Sequence, residues 1–144
     1  MSAAPASALL WPVLAQIGWT FLLYVWLTAA RLRAVQAGQV DWPAFALGRE
    51  EPPKVARITR NLANQFEAPV IFYALCVLLV ATGQVLWLDV AAAWVFVLGR
   101  MVHTAVQTLT DDVPLRGRVF MINFLGLCAI VAHVAWLTVT GGFG

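Results

Sequence analysis

The chain has 144 residues, of which 62% are hydrophobic and 11% are charged, and its mean hydropathy is +0.82. Soluble domains carry about 25% charged residues, so this composition excludes a soluble globular domain, and such hydrophobicity also excludes a disordered chain. The net charge of +2 says little, because the placement of the charges matters more, and we expect no nucleic-acid partner.

Long continuous apolar runs predict membrane-spanning helices rather than the short alternating strands of a membrane barrel. The pattern predicts four spans within one domain of residues 1–144, at about 9–30, 54–83, 89–110 and 114–140. No Lys or Arg precedes the first run, so we expect a retained helix and not a cleaved signal peptide. The predicted fold is an all-α, integral membrane four-helix bundle.

Capping signals mark the ends of the last two spans. We expect Asp89 to cap the start of the third helix, and Asp112, followed by Pro114, to begin the fourth. Gly141 and the glycine after it should end the fourth helix.

All basic residues fall on one side of this topology. They lie in or beside the first loop, inside the third helix, or beside the third loop: Arg31, Arg33, Arg49, Lys54, Arg57, Arg60, Arg100, Arg116 and Arg118. By the positive-inside rule, we expect the loops at residues 34–53 and 111–115 to be cytoplasmic, with both termini on the opposite side.

Polar residues recur along two of the predicted helices, where the membrane makes them costly and usually functional. In the second helix they stand at positions i, i+3, i+7 and i+10, which is one helical face: Arg57, Arg60, Asn64 and Glu67. In the third helix they stand at i, i+3 and i+7: Arg100, His103 and Gln107. With Arg116 at the start of the fourth helix, these faces predict a polar cavity near the cytoplasmic interface.

Each of these residues also has a purely structural interpretation. Glu67 could form a buried ion pair with Arg100 or Arg60, which would contribute little net stability. His103, alone in an apolar helix, could be a hydrogen-bonded core residue.

The chemistry of the expected cavity suits a small zwitterionic peptide. Arginine binds carboxylates through two parallel hydrogen bonds, and the Glu67 carboxylate could accept an ammonium group. Glutathione has this charge pattern, although an anionic lipid headgroup or a nucleotide phosphate would also fit. The sequence shows neither a Gly-rich phosphate loop nor a cluster of metal ligands, and Cys76 and Cys128 lie inside apolar runs, so we predict no metal site.

These residues resemble the MAPEG family, which includes microsomal glutathione transferases, leukotriene C synthase and microsomal prostaglandin E synthase. The resemblance extends from Arg31 to about Trp136. Its motifs are Arg60-x-x-x-Asn64-x-x-Glu67 followed by Pro69, then Gly99-Arg100-x-x-His103-Thr104, Pro114-Leu115-Arg116 and Arg31-Leu32-Arg33.

The resemblance implies a homotrimer that binds glutathione as a cosubstrate between adjacent subunits. It implies that Arg116 stabilises the glutathione thiolate, and that the remaining contacts come from Arg31, Arg57, Arg60, Asn64, Glu67, Arg100 and His103. Gln107 and Phe120 stand where the prostaglandin synthase branch has a tyrosine or another aromatic hydroxyl. The resemblance therefore implies glutathione chemistry but leaves the second substrate open.

Three functions follow as hypotheses. The first is a glutathione-dependent membrane transferase or peroxidase that acts on lipophilic electrophiles or hydroperoxides reaching the site from membrane lipid. The second is a non-enzymatic membrane module that binds an anionic lipid headgroup through its basic side. The third, a channel or transporter, would need a polar stripe along a whole helix, whereas the polar groups here concentrate at one side.

Overall fold

The structure, a computed structural model, describes residues 2–46 and 50–143. The regular secondary structure of this part of the chain is helical, apart from an isolated bridge between Ala3 and Leu86. The α-helices are α1 (Ala6–Gln36), α2 (Pro53–Ala63), α3 (Ala68–Ala81), α4 (Trp87–Leu109) and α5 (Val113–Thr140), with short 3-10 helices at Trp42–Ala46 and Asn64–Phe66. The predicted all-α class is confirmed.

Four helical segments are long and apolar enough to cross a membrane: α1, the combined segment Pro53–Ala81, α4 and α5. Many of their large apolar side chains are exposed, including Phe21, Val25 and Leu125 at 60% exposure or more. Water would not tolerate so much exposed apolar surface in a monomer, whereas lipid tails solvate it. The protein is an integral, multi-pass membrane protein.

The helix ends follow local capping chemistry, with one correction to the sequence prediction. Asp112 caps α5 as predicted, because its Oδ1 accepts a hydrogen bond from the Leu115 amide at 2.8 Å. Gly141 ends α5 with a left-handed φ of 71°. The prediction that Asp89 is the cap of the third span is wrong: α4 begins at Trp87, and the Asp89 carboxylate reaches back to the Leu86 amide at 2.8 Å.

The second span is not one continuous α-helix, contrary to the sequence prediction, although Arg57, Arg60, Asn64 and Glu67 still border one common cleft. α2 ends at Ala63, a 3-10 turn covers Asn64–Phe66, and α3 begins at Ala68. Pro69 explains the break, because it lacks an N–H and its ring would clash with the carbonyl four residues earlier in a continuous helix. The break turns Glu67 away from the register of α2.

The main core lies between α1, α3, α4 and α5. The rings of Phe72 and Phe96 stack there with centroids 4.5 Å apart, beside the fully buried Ile130. A second cluster joins α1 to α2 through residues that include Leu23, Leu27 and Ile58. The two clusters hold the polar segment of the second span between α1 and α4.

The end of the bundle opposite the basic residues is closed by backbone contacts and a buried polar pair. The amide of Ala4 donates to the carbonyl of Val85 at 2.9 Å. Beneath this contact, Nδ1 of His133 lies 2.9 Å from both carboxylate oxygens of Asp89, and both side chains are buried. This pair ties α5 to the start of α4.

Gly126 sets the distance between α4 and α5. A Cβ added there would lie 2.6 Å from the Ala92 carbonyl oxygen and 2.9 Å from the Phe96 nitrogen. Because backbone atoms cannot rotate aside, we expect Gly126→Ala to destabilise the fold by about 1–3 kcal/mol. Thermal unfolding in detergent measures this. Gly117→Ala, on the same helix with open space at its Cβ, is the control and should unfold at or above the wild-type temperature.

Candidate functional site

A cleft of about 680 Å³ opens at the basic end of the bundle. It is lined by α2, the end of α4 and the start of α5. Charged side chains dominate its wall: Arg57, Arg60 and Arg116 with Glu51, Glu67, Asp111 and Asp112. The break after α2 contributes directly, since Asn64 and Glu67 border the cleft from the turn between α2 and α3. The proline-induced turn therefore brings two polar residues to the cleft.

Some of these charges already have partners within the protein. Arg57 forms an ion pair with Asp111 across the mouth of the cleft and also donates to the Thr110 carbonyl at 3.3 Å. The buried Glu51 carboxylate is 2.5 Å from Nη2 of Arg31.

Three charged groups in the cleft have no such partner. Within residues 2–46 and 50–143, no side-chain hydrogen bond or ion pair involves Arg60, Glu67 or Arg116. The cleft thus offers two free guanidinium groups and one free carboxylate.

The structure gathers five of the eight predicted site residues around this cleft: Arg57, Arg60, Asn64, Glu67 and Arg116. The other three, Arg31, Arg100 and His103, do not border it. Each of these three residues has different contacts within the protein.

Arg31 lies behind the cleft wall, at the end of a groove between α1 and α2. Its guanidinium pairs with Glu51, reaches the Thr59 hydroxyl at 3.4 Å, and lies 5.1 Å from the ring centre of Phe45. Through Glu51, which does border the cleft, Arg31 holds one acidic group of the wall in place.

Arg100 is the largest fully buried side chain in the described part of the protein, with 1% exposure. Its Nη2 donates to the backbone carbonyl of Asn64 at 2.8 Å. The ion pairs between Glu67 and Arg100 or Arg60, considered from the sequence, do not form among the described residues. Arg100 instead stabilises the turn, whose carbonyls lack regular helical partners.

His103 is buried on α4, with its ring against the edge of Phe120 at a centroid distance of 5.9 Å. Its Nδ1 has no hydrogen-bond partner in the described part of the protein. Within the described residues, Nδ1 of His103 therefore does not make the hydrogen bond that a structural core histidine would make.

A set of buried polar residues behind the cleft was not predicted from the sequence. Gln16 from α1, Asn61 from α2 and Gln65 from the 3-10 turn are at most 1% exposed. They connect to Gln107, which borders the cleft. Only Gln16 had a clear signal, as an amide within an apolar run, where a polar side chain is costly in a membrane; Asn61 and Gln65 lie in a polar stretch that hides them.

Comparison with known proteins fits this arrangement. The profile of the MAPEG family matches residues 9–136, which is nearly the whole chain. The chain belongs to the MAPEG family. No curated protein and no solved structure gives a significant match.

Membership of the MAPEG family indicates, in general terms, a glutathione-related role in the membrane. The family includes glutathione transferases and related membrane enzymes, and its members use glutathione. The matched region contains both the cleft and the buried amides, so both belong to the MAPEG domain.

Proposed function

We propose that this MAPEG protein is a glutathione-dependent membrane enzyme, a transferase or peroxidase that acts on lipophilic electrophiles or hydroperoxides. The observation that carries the proposal is the set of free charges in the cleft: Arg60, Arg116 and Glu67. Glutathione presents two carboxylates, an ammonium group and a thiol. The guanidinium groups are complementary in charge to the carboxylates and the thiolate, and the carboxylate of Glu67 is complementary to the ammonium group.

The proposed roles follow from the nature of each side chain. Arg60, assisted by Arg57, binds the carboxylates, since the exposed ion pair of Arg57 with Asp111 is cheap to exchange for a ligand. Glu67 accepts the ammonium group, and Asn64 bonds the peptide backbone. Arg31 and Arg100 support these residues from behind, through Glu51 and the Asn64 carbonyl.

Arg116 is proposed to hold the sulfur as a thiolate. It is half-buried in the first turn of α5, where the helix N-terminus adds positive potential. A free thiol titrates near pH 8.5, and a nearby cation lowers that value. In the transferase reaction the thiolate sulfur forms a bond to an electrophilic carbon, and the leaving group departs with its electron pair.

The second substrate is proposed to enter from the lipid, because the helices that surround the cleft expose apolar side chains along their outer surfaces. A homotrimer, as in the family resemblance, would cover part of this surface. His103 lies on α4 one turn before Gln107, which borders the cleft. Because its Nδ1 has no hydrogen-bond partner in the described part of the protein, His103 is a further candidate contact for the ligand.

The alternative ligand, an anionic lipid headgroup, fits the cleft less well. The Glu67 carboxylate, which has no ion-pair partner among the described residues, would repel a phosphate, whereas it can pair with the ammonium group of glutathione. Calorimetric titration of the detergent-purified protein with glutathione tests the proposal. Saturable binding that persists with excess anionic lipid supports it, whereas displacement by the lipid or no binding at all contradicts it.

We also propose the orientation in the membrane: the cleft faces the cytoplasm and both termini face the opposite side. The basis is the one-sided distribution of all nine Lys and Arg residues. A cysteine added after residue 144, in a variant whose own two cysteines are replaced, should react with an impermeant maleimide only from the non-cytoplasmic side. A cysteine placed at Asp41 should react only from the cytoplasm, and the reverse pattern would refute the orientation.

A further inference from the structure

Four buried side-chain amides form a directed series of hydrogen bonds across the bundle. Nε2 of Gln16 donates to Oε1 of Gln65 at 3.0 Å, and Nε2 of Gln65 donates to Oδ1 of Asn61 at 3.3 Å. Nδ2 of Asn61 then donates to Oε1 of Gln107 at 2.8 Å. The three hydrogen bonds all run in the same direction, from α1 toward the cleft. We call these four residues the amide relay.

Further contacts fix this direction at Asn61. Its Oδ1 faces Nε2 of Gln65 and also lies 2.9 Å from the Thr104 hydroxyl, which shares its single proton with the Arg100 carbonyl at 3.0 Å. The Asn61 nitrogen therefore points to Gln107. Gln65 is held as well, because its Nε2 donates to the Asn61 carbonyl at 3.0 Å. At the far end, Oε1 of Gln16 has no partner among the described residues, as expected for the first member of a donor series.

The relay ends at the cleft wall. Oε1 of Gln107 accepts from two nitrogens, Nδ2 of Asn61 at 2.8 Å and Nδ2 of Asn64 at 3.3 Å. Its Nε2 makes no hydrogen bond within residues 2–46 and 50–143, although Gln107 borders the cleft. With its oxygen held from behind, the amide can present only its NH₂ group to a bound molecule.

We propose that Nε2 of Gln107 is a ligand-binding hydrogen-bond donor whose orientation is set by Asn61 through the amide relay. A series of aligned hydrogen bonds polarises its last donor, and the effect is larger in a membrane interior than in water. Such a donor selects a negatively charged acceptor atom. Under the proposed function, on which this inference rests, that atom is a carboxylate oxygen or the thiolate sulfur of glutathione.

The first experiment changes the donor and keeps its size. Gln107→Glu replaces the NH₂ group by an acceptor oxygen, and we expect glutathione to bind about 10- to 150-fold more weakly in calorimetric titration. Gln107→Tyr supplies a hydroxyl donor at the same position and should retain more affinity than Gln107→Leu, which supplies none. Gln84→Leu removes an amide at the opposite end of the bundle, where it bonds the Gly142 carbonyl, and should bind normally.

The second experiment tests Asn61 as a positioning residue by a double-mutant cycle. Asn61 does not border the cleft, yet Asn61→Leu should weaken glutathione binding in the wild type by about tenfold. In a Gln107→Leu background the same change should cost no further affinity, because the group it orients is gone. If Asn61→Leu does not fold, Asn61→Ala serves in its place. Equal losses in both backgrounds would show a merely structural role and overturn the relay.

The two proposals fail in different ways. If the wild type does not bind glutathione, the proposed function falls, and the role of Gln107 falls with it. If the wild type binds and Gln107→Glu binds equally well, with unfolding temperatures showing that both proteins are folded, only the inference about Gln107 is overturned.

Discussion

Arg116→Ala is expected to abolish most thiolate formation by bound glutathione while the peptide still binds. Lowering the thiol pKa by about two units takes roughly 2.7 kcal/mol of differential stabilisation, and a guanidinium in a partly buried cleft can supply a large share. At pH 7 a rise of the bound thiol pKa from about 6.5 to about 8.5 lowers the thiolate fraction from about three quarters to about 3%, so the expected loss in turnover of a generic electrophile is about 25-fold. The ultraviolet absorbance of the bound thiolate, followed against pH, measures the effect directly.

The neighbouring Arg118 provides the control for Arg116. It follows by two residues, about 200° around the helix, and it is exposed and does not border the cleft. Arg118→Ala should leave thiolate absorbance, glutathione affinity and turnover close to wild type. An unchanged thiol titration in Arg116→Ala would exclude Arg116 as the catalytic cation and make His103 the next residue to test.

The spans and several helix ends could be predicted from the sequence because their causes are local. Lipid requires about 20 apolar residues per span, and three such runs are visible without any knowledge of packing. The second span has a shorter apolar run, from Ala68 to about Val80, and is predicted only together with the helical stretch that precedes it. Asp112 followed by Pro114 forms a cap within a few residues, and the structure has that cap. Asp89 misled the prediction because a carboxylate at the third helical position can also bond the capping residue's amide.

The break in the second span had a sequence signal in Pro69, but its consequence depends on tertiary contacts. Proline interrupts a helix, yet it does not determine how the freed carbonyls are satisfied. In the structure Arg100, from a helix distant in sequence, bonds the Asn64 carbonyl. Helical periodicity therefore predicts the correct end of the bundle for Asn64 and Glu67, but it assumes an unbroken helix that the structure does not have.

Local pattern also could not separate arginines that face the cleft from those that support it. Arg31 and Arg60 are both basic residues near the same end of the bundle, but only Arg60 borders the cleft. What distinguishes them is Glu51, which lies 20 residues from Arg31 in sequence and contacts it only after α1 and α2 pack together. Such a pairing depends on the folded arrangement of the two helices.

The role of Glu67 is the sharpest test of the binding proposal. The side chain is exposed in the cleft and has no ion-pair partner in the described part of the chain. If it accepts the ammonium group of glutathione, Glu67→Gln loses a charge-assisted hydrogen bond and should weaken binding by about 1.5–3 kcal/mol. Calorimetric titration at neutral pH measures the loss.

The same variant separates binding from stability. A buried ion pair broken on one side would cost about 3–5 kcal/mol of folding free energy. Because Glu67 is exposed and forms no ion pair within residues 2–46 and 50–143, we expect Glu67→Gln to unfold at the wild-type temperature without ligand and to lose only the stabilisation that glutathione adds. Asp41→Asn, which removes an exposed carboxylate outside the cleft, should keep that ligand-induced shift. A full shift in Glu67→Gln would exclude Glu67 from the glutathione site, and a lower melting temperature without ligand would instead show that its carboxylate is structural.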